Sequence, residues 1–219
     1  MTLVSDEQSG LPSWESRYKK LVRHIEASIE GFCIVDKKSS LLMRLLSFIL
    51  FFNKSFMTKY ITMIYPKVYV PEIPWLPDSP VKRIAILAHE YVHMKDRQRM
   101  GLLFNFLYLS PQLFSLLALG AVWNLWWLLA LLFLLPVPSP GRAWLEFRGY
   151  RMTMAINWYL IGAETNTVWI ENQFTKSSYY WMMPFRGFIG SHISKALENI
   201  KSGENLPPEI FEIKRVLEA

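Results

Sequence analysis

The sequence predicts a mainly helical protein with a few short edge strands and a helical hairpin inserted into a membrane. Three observations carry that expectation. Apolar residues recur at three- and four-residue steps in several segments, the spacing of one helix face. Prolines bracket the one stretch rich in β-branched and aromatic residues, which confines it to short or edge strands. Between Met100 and Gly141 there is no charged residue at all, and an uncharged run of that length is what lipid accepts.

Composition narrows the function classes. Hydrophobic residues make up 52% of the 219 residues, and nine are tryptophan; that is rich for a soluble enzyme and typical of a chain that also meets lipid. The single cysteine, Cys33, excludes an intramolecular disulfide and gives no zinc-finger spacing. With no cation beside it, Cys33 reads as a small apolar residue rather than a nucleophile. The net charge of +6 does not imply nucleic acid, because the cations are scattered and no recognition motif accompanies them. An anionic lipid surface fits them better. Met1 to Pro12 is polar and acidic, without the cationic start and apolar core of a secretory signal, so the chain is expected to begin in the cytosol.

In order along the chain, Trp14, Tyr18, Leu21, Val22, Ile25 and Ile29 form one stripe, with Ser13 to cap its start and Gly31 its end. Trp14 to Glu30 is therefore an amphipathic helix. His24 lies off the stripe and reads as solvated or partly packed. Leu41 to Phe52 is apolar except for Arg44 and Ser47. It rises only ~18 Å as a helix, too short to cross ~30 Å of hydrocarbon, and is either a core helix or one lying at the bilayer surface. Tyr60 to Pro71 is the strand region, with prolines at 66 and 71. Such an edge can take a peptide substrate as an added strand or simply cover the next helix. Pro71 to Pro80 is a loop, and Asp78-Ser79-Pro80 starts a helix from about Val81 to Arg99.

That helix contains Ile84-Ala85-Ile86-Leu87-Ala88-His89-Glu90-Tyr91-Val92-His93. Residues four apart share a face, so His89 and His93 can offer two imidazoles to one ion. Two nitrogens and a third protein ligand are what a catalytic zinc takes, with a position left for water. Glu90 is placed to accept a proton from that water, and the spacing is the metalloprotease signature. The plainer alternative is a chance pattern on a helix surface, although two of only four histidines fall here.

The uncharged run divides at Gly120 and Asn124 into Leu102 to Leu119 and Val122 to Leu135, with Pro111 expected to kink the first arm. A buried helical pair is the alternative to a membrane hairpin. Lys82, Arg83, Lys95, Arg97 and Arg99 precede the run and Arg142, Arg148 and Arg151 follow it, so both ends belong on the cytosolic side. A hairpin returns the chain to the side it left. What returns is a helix from Gly141 to Ala155, in which Glu146 is the natural third ligand. A metzincin pattern fails, since Asp96 and Arg99 stand where it needs glycine and histidine.

With these residues in place, the chain resembles a gluzincin of the membrane-embedded kind, which includes the HtpX heat-shock proteases and the CaaX-prenyl endopeptidases. His89, Glu90 and His93 match that family's first motif, and Glu146 matches the glutamate of its E-x-x-x-D. The likeness covers about Val81 to Ala155. It implies a zincin-like α+β fold, zinc as cofactor and peptide hydrolysis. Tyr150 departs from it, standing where the family has an aspartate that orients a zinc histidine. Its hydroxyl could donate to a developing oxyanion or bond a ligand, or its ring could pack among aromatics. Asp96 could supply the missing acceptor, though a surface salt bridge with Lys95 or Arg99 is the favoured reading. Ser191-His192 is faintly similar to a Ser-His segment of the family, with Ile193 in place of its proline.

Farther on, Asn166 to Phe174 and Pro184 to Lys201 read as helices, separated by an aromatic and methionine cluster from Thr175 to Met183, and Pro207 to Ala219 as a short charged one. His192 and Arg186 are candidates for transition-state contacts. The expected organisation is residues 1–80 covering the active-site helix, 81–99 with 142–219 as the catalytic helices, and 100–141 as the membrane insertion. The expected function is that of a zinc metallopeptidase using Glu90, with His89, His93 and Glu146 on the metal. Its partners would be a bilayer, of the bacterial inner-membrane type or its equivalent, and a peptide or protein substrate, with the active site on the cytosolic side. A non-catalytic zinc-containing membrane adaptor is the alternative.

Overall fold

Ser13 begins the described structure as a helix cap: its hydroxyl accepts from the Ser16 N–H at 3.2 Å, which starts α1, Trp14–Ser28. The computed structural model describes residues 13–218 apart from 52, 74, 76–78, 136 and 177–180. The polar N-terminus to Pro12, the Asp78 helix start and the centre of the Thr175 to Met183 cluster thus lie outside the described residues. The chain forms two compact units, Met1–Met94 with Pro207–Ala219, and Lys95–Leu206.

In the first unit, α1 buries Leu21 and Ile25 and packs on α8, Pro208–Glu218, which buries Ile210, Ile213 and Leu217. His24 is partly packed in this seam, its Nε2 2.9 Å from Glu212 Oε1. A three-stranded sheet follows the order β1-β3-β2, built from β1, Cys33–Asp36, β2, Thr62–Ile64, and β3, Lys67–Val70. β1 runs parallel to β3, with Cys33 opposite Lys67 and Asp36 opposite Val70; β2 is antiparallel, with Thr62 opposite Tyr69. The expected confinement of this region to edges is corrected for β3, which is central. Pro66 and Pro71 fall just outside it, so neither removes a ladder donor. Strand β1 was not anticipated, because four residues after a glycine carry too little period to separate from a loop.

Helix α2, Leu41–Ile49, is capped by the Ser40 hydroxyl and lays Met43 against Phe56 and Tyr69, with Val35, Leu46 and Leu50 around them. Lys37, fully buried at the end of β1, closes this layer. Its ammonium donates to the carbonyls of Phe56 at 2.7 Å and Tyr60 at 2.8 Å, and lies 4.1 Å from the centroid of the Phe56 ring. Helix α3, Pro80–Met100, buries Ile84, Leu87, Ala88 and Tyr91. Its first turn is tied to α1 by an Arg83–Glu15 ion pair, with the Arg83 guanidinium 3.9 Å over the Tyr18 ring.

The second unit takes up the last turn of α3 and continues as α4, Leu102–Leu109. Two 3-10 helices follow, Gln112–Val122 and Leu125–Leu134. The expected kink at Pro111 is present: α4 and the first 3-10 helix meet at 86°, because proline lacks the N–H that would continue the helix. The expected turn is present too, with the Asn124 side chain accepting from Trp126 N–H. A Cβ at Gly120 would sit 2.7 Å from the Trp127 ring, so the two 3-10 helices can cross there only over a glycine. Among the described residues no single helix is long and apolar enough to cross a membrane; the bent pair Leu102–Leu109 and Gln112–Val122 passes that test together. Helix α5, Pro140–Ile161, ends on Gly162 in the left-handed region and packs with α7, Arg186–Ser202, which also packs on α6, Thr167–Thr175.

Lys37 makes the first unit sensitive to pH. Burial lowers its pKa to about 8, against an opposing pull from Glu90. Below pH 8 folded and unfolded chains both hold the proton, and the cost of burying the charge is present in full. Between pH 8 and the ordinary lysine value the unfolded chain binds more protons, so stability rises with pH. The denaturation midpoint of the wild type should rise relative to that of Lys37→Met from pH 8 to 10. A gap that stays constant across that window would show that Lys37 does not titrate there.

Candidate metal centre

The buried face of α3 holds the helix in place and decides where its other side chains point. His89 and His93, one turn apart, bring their Nε2 atoms to 3.0 Å, with ring centroids 4.8 Å apart in an edge-to-face arrangement. A metal ion would take one lone pair from each of these nitrogens.

On α5, Glu146 is 3% exposed and its Oε1 accepts the Tyr108 hydroxyl of α4 at 2.6 Å. This bond needs α4 and the start of α5 to lie close together. Gly141 permits it, since a Cβ there would meet the Leu107 carbonyl oxygen at 2.8 Å. Arg142 fastens the same junction, its Nε donating to the Tyr108 carbonyl at 2.7 Å and its Nη2 to Gln112 Oε1 at 2.9 Å.

One ligand atom from each of His89, His93 and Glu146 lies within 4.8 Å of the others, and the three could hold a metal ion. The donor set fits a metal. Nitrogens at ~2.0–2.1 Å from a tetrahedral zinc stand about 3.3 Å apart, close to what the two imidazoles show. A tyrosine hydroxyl on the carboxylate is the kind of outer partner that orients a ligand.

The other expected residues divide. Glu90 follows His89 on α3, and its charge favours the protonated form of Lys37. Tyr150 is buried and its ring packs edge-on to Trp169 and against Phe174, with centroids 5.8 and 5.6 Å away. The ring therefore takes part in aromatic packing, one of the three roles open to it. Asp96 is corrected. It is no surface residue but 2% exposed, and its carboxylate takes two bonds from Arg148, at 2.8 and 2.9 Å. His192 donates from Nδ1 to the Phe188 carbonyl at 2.8 Å, with its ring against Phe147 and Phe188. Arg186 pairs with Glu171 at 3.4 Å and Asn172 at 3.1 Å, joining α6 to α7. Neither belongs to the ligand group.

Sequence reasoning missed Tyr108, Arg148 and Lys37. A tyrosine in an uncharged apolar run was the one usable signal, since its buried hydroxyl requires a partner. Arg148 counted only as a charge flanking the uncharged run, and no motif or period in the sequence singled out Lys37. No family model, curated protein or solved structure matches the chain.

Two outcomes follow from these contacts. Tyr108→Phe removes the donor to Glu146 and should weaken metal affinity about 10- to 100-fold, measured by competition with a chromogenic chelator; unchanged affinity would mean the hydroxyl does not support the ligand. Arg148→Met leaves Asp96 buried without its bidentate partner, and should cost about 3 kcal/mol in denaturant titration.

Proposed function

We propose that the chain is a zinc-dependent, membrane-associated endopeptidase. The observation that carries this reading is the convergence of His89, His93 and Glu146, with a glutamate next to the first ligand in the chain. The residues held ready are two imidazole nitrogens, a carboxylate oxygen and a base. Zinc, when bound, supplies positive charge that lowers the pKa of a water towards ~7 and polarises a carbonyl.

In this reading Glu90 takes the proton from the attacking water. It later delivers that proton to the amine leaving from the cleaved peptide bond. His89, His93 and Glu146 hold the metal, and Tyr108 keeps the Glu146 carboxylate turned. The substrate is a peptide or protein segment at the membrane face. The apolar surface of 102–135 supports the membrane part: Leu102, Leu119, Val122, Trp123, Leu125 and Trp126 are all exposed, an area of apolar side chain that water does not tolerate well. The hairpin lies in lipid with both ends on the cytosolic side, in a membrane of the bacterial inner-membrane type or its equivalent.

A second reading, a zinc-containing adaptor without turnover, is favoured by one contact set. Tyr150 stands where the resembling family has its aspartate, and its ring is committed to Trp169 and Phe174. An adaptor would bind zinc in stoichiometric amount and cut nothing.

Glu90→Gln separates these readings. The variant should keep one zinc per chain by elemental analysis and lose cleavage of an unfolded protein substrate by at least about 100-fold. Cleavage at the wild-type rate would end the mechanism. A wild type that is zinc-loaded and inactive would leave the adaptor.

A further inference from the structure

Helix α2 is apolar on two sides. Met43, Leu46 and Leu50 face the sheet layer, but Leu41, Leu42, Leu45, Phe48 and Ile49 are exposed, Phe48 to 82%, and Phe51 just beyond is exposed to 79%. At about 100° per residue these five helical positions cover an arc of about 120°, turned away from Met43. One exposed leucine needs no explanation; a contiguous face of them does.

The charge around this face points to what covers it. Residues 37–71 contain Lys37, Lys38, Arg44, Lys54, Lys59 and Lys67 and no aspartate or glutamate. Six cations here against a chain total of 24 cations and 18 acids leave 18 of each elsewhere. The stretch 37–71 thus carries six positive charges, and the rest of the chain balances to zero. Lys37 is buried, and Lys38 lies 3.8 Å from Glu72, but Arg44, Lys54, Lys59 and Lys67 are exposed.

We infer that α2 is an in-plane membrane anchor, its Leu41–Phe48 face seated among acyl chains and its neighbouring cations on anionic headgroups. A nine-residue helix rises only ~14 Å, so it lies on the bilayer and does not cross it. Each Lys or Arg near an anionic surface adds attraction to it, and a short apolar face gains stable attachment from just such a second signal. The inference rests on the membrane half of the reading above and needs neither metal nor hydrolysis.

The test uses the full chain with Cys33→Ala, spin-labelled in turn at Phe48→Cys, Leu45→Cys, Ser39→Cys and Trp123→Cys. Each is reconstituted in vesicles of phosphatidylcholine with phosphatidylglycerol, or of phosphatidylcholine alone, in wild-type and Glu90→Gln backgrounds. Collisions with oxygen and with a water-soluble nickel chelate are compared. Labels at 45 and 48 should show an oxygen-to-nickel ratio several-fold above that at 39 in the anionic vesicles. Changing Arg44, Lys54, Lys59 and Lys67 together to Gln should bring that ratio towards its value in phosphatidylcholine alone. High nickel access at 45 and 48, with the Trp123 label in lipid, overturns the anchor and spares the hairpin. Low access to both reagents means a protein covers the face, a second copy included, and also overturns it. Nickel access at Trp123 as well would remove the membrane reading altogether. The result in the Glu90→Gln chain should be unchanged.

Discussion

The spacing of His89 and His93 on α3 is the constraint around which the other features arrange themselves. Two imidazole nitrogens 3.0 Å apart require a helix that does not fray, because loss of the turn between them would part the rings. The sequence meets that need by burying Ile84, Leu87, Ala88 and Tyr91 on the same helix. Arg83 supplies a charged tether to Glu15 and a stacked one to Tyr18. Between the two histidines, Tyr91 donates to Glu212 of α8 at 2.8 Å, and burial raises its hydroxyl above the usual tyrosine range. It therefore remains a donor at any ordinary pH.

A second constraint links Glu146 to the apolar insertion. Tyr108, on the first helix of that insertion, donates to the Glu146 carboxylate, and Gly141 lets the two helices approach. One side chain of this apolar segment thus sets the direction of a proposed ligand, and a change in how α4 sits would be felt at that carboxylate through this hydrogen bond. Arg142 and Arg148 also prove to be more than flanking charges: one ties α5 to the Tyr108 carbonyl of α4 and to Gln112 of the next 3-10 helix, and the other holds Asp96.

These buried charges are costly to place. A carboxylate taken out of water loses hydration that a single partner rarely restores. Asp96 receives a two-pronged guanidinium, which is the geometry that recovers most, and Lys37 receives two carbonyls and an aromatic face. What such groups contribute is uniqueness of arrangement: a shifted packing would leave a charge buried with nothing to answer it.

The sequence by itself determined the helical class, the pairing of His89 with His93, the kink at Pro111 and the turn before Asn124, because each depends on neighbours in the chain. Helical period, proline's missing N–H and side-chain capping all act within a few residues. The sequence also offered Glu146, which lies with these histidines in a group that could hold a metal ion. Tertiary structure alone decided that β3 is the central strand, that Asp96 belongs to Arg148, and that Tyr150 packs among aromatics. It likewise decided that Lys37 is buried and that α2 keeps a second apolar face outside. In each of these a side chain finds its environment among residues distant in the chain. Local pattern states what a residue can offer, and only packing states what it meets.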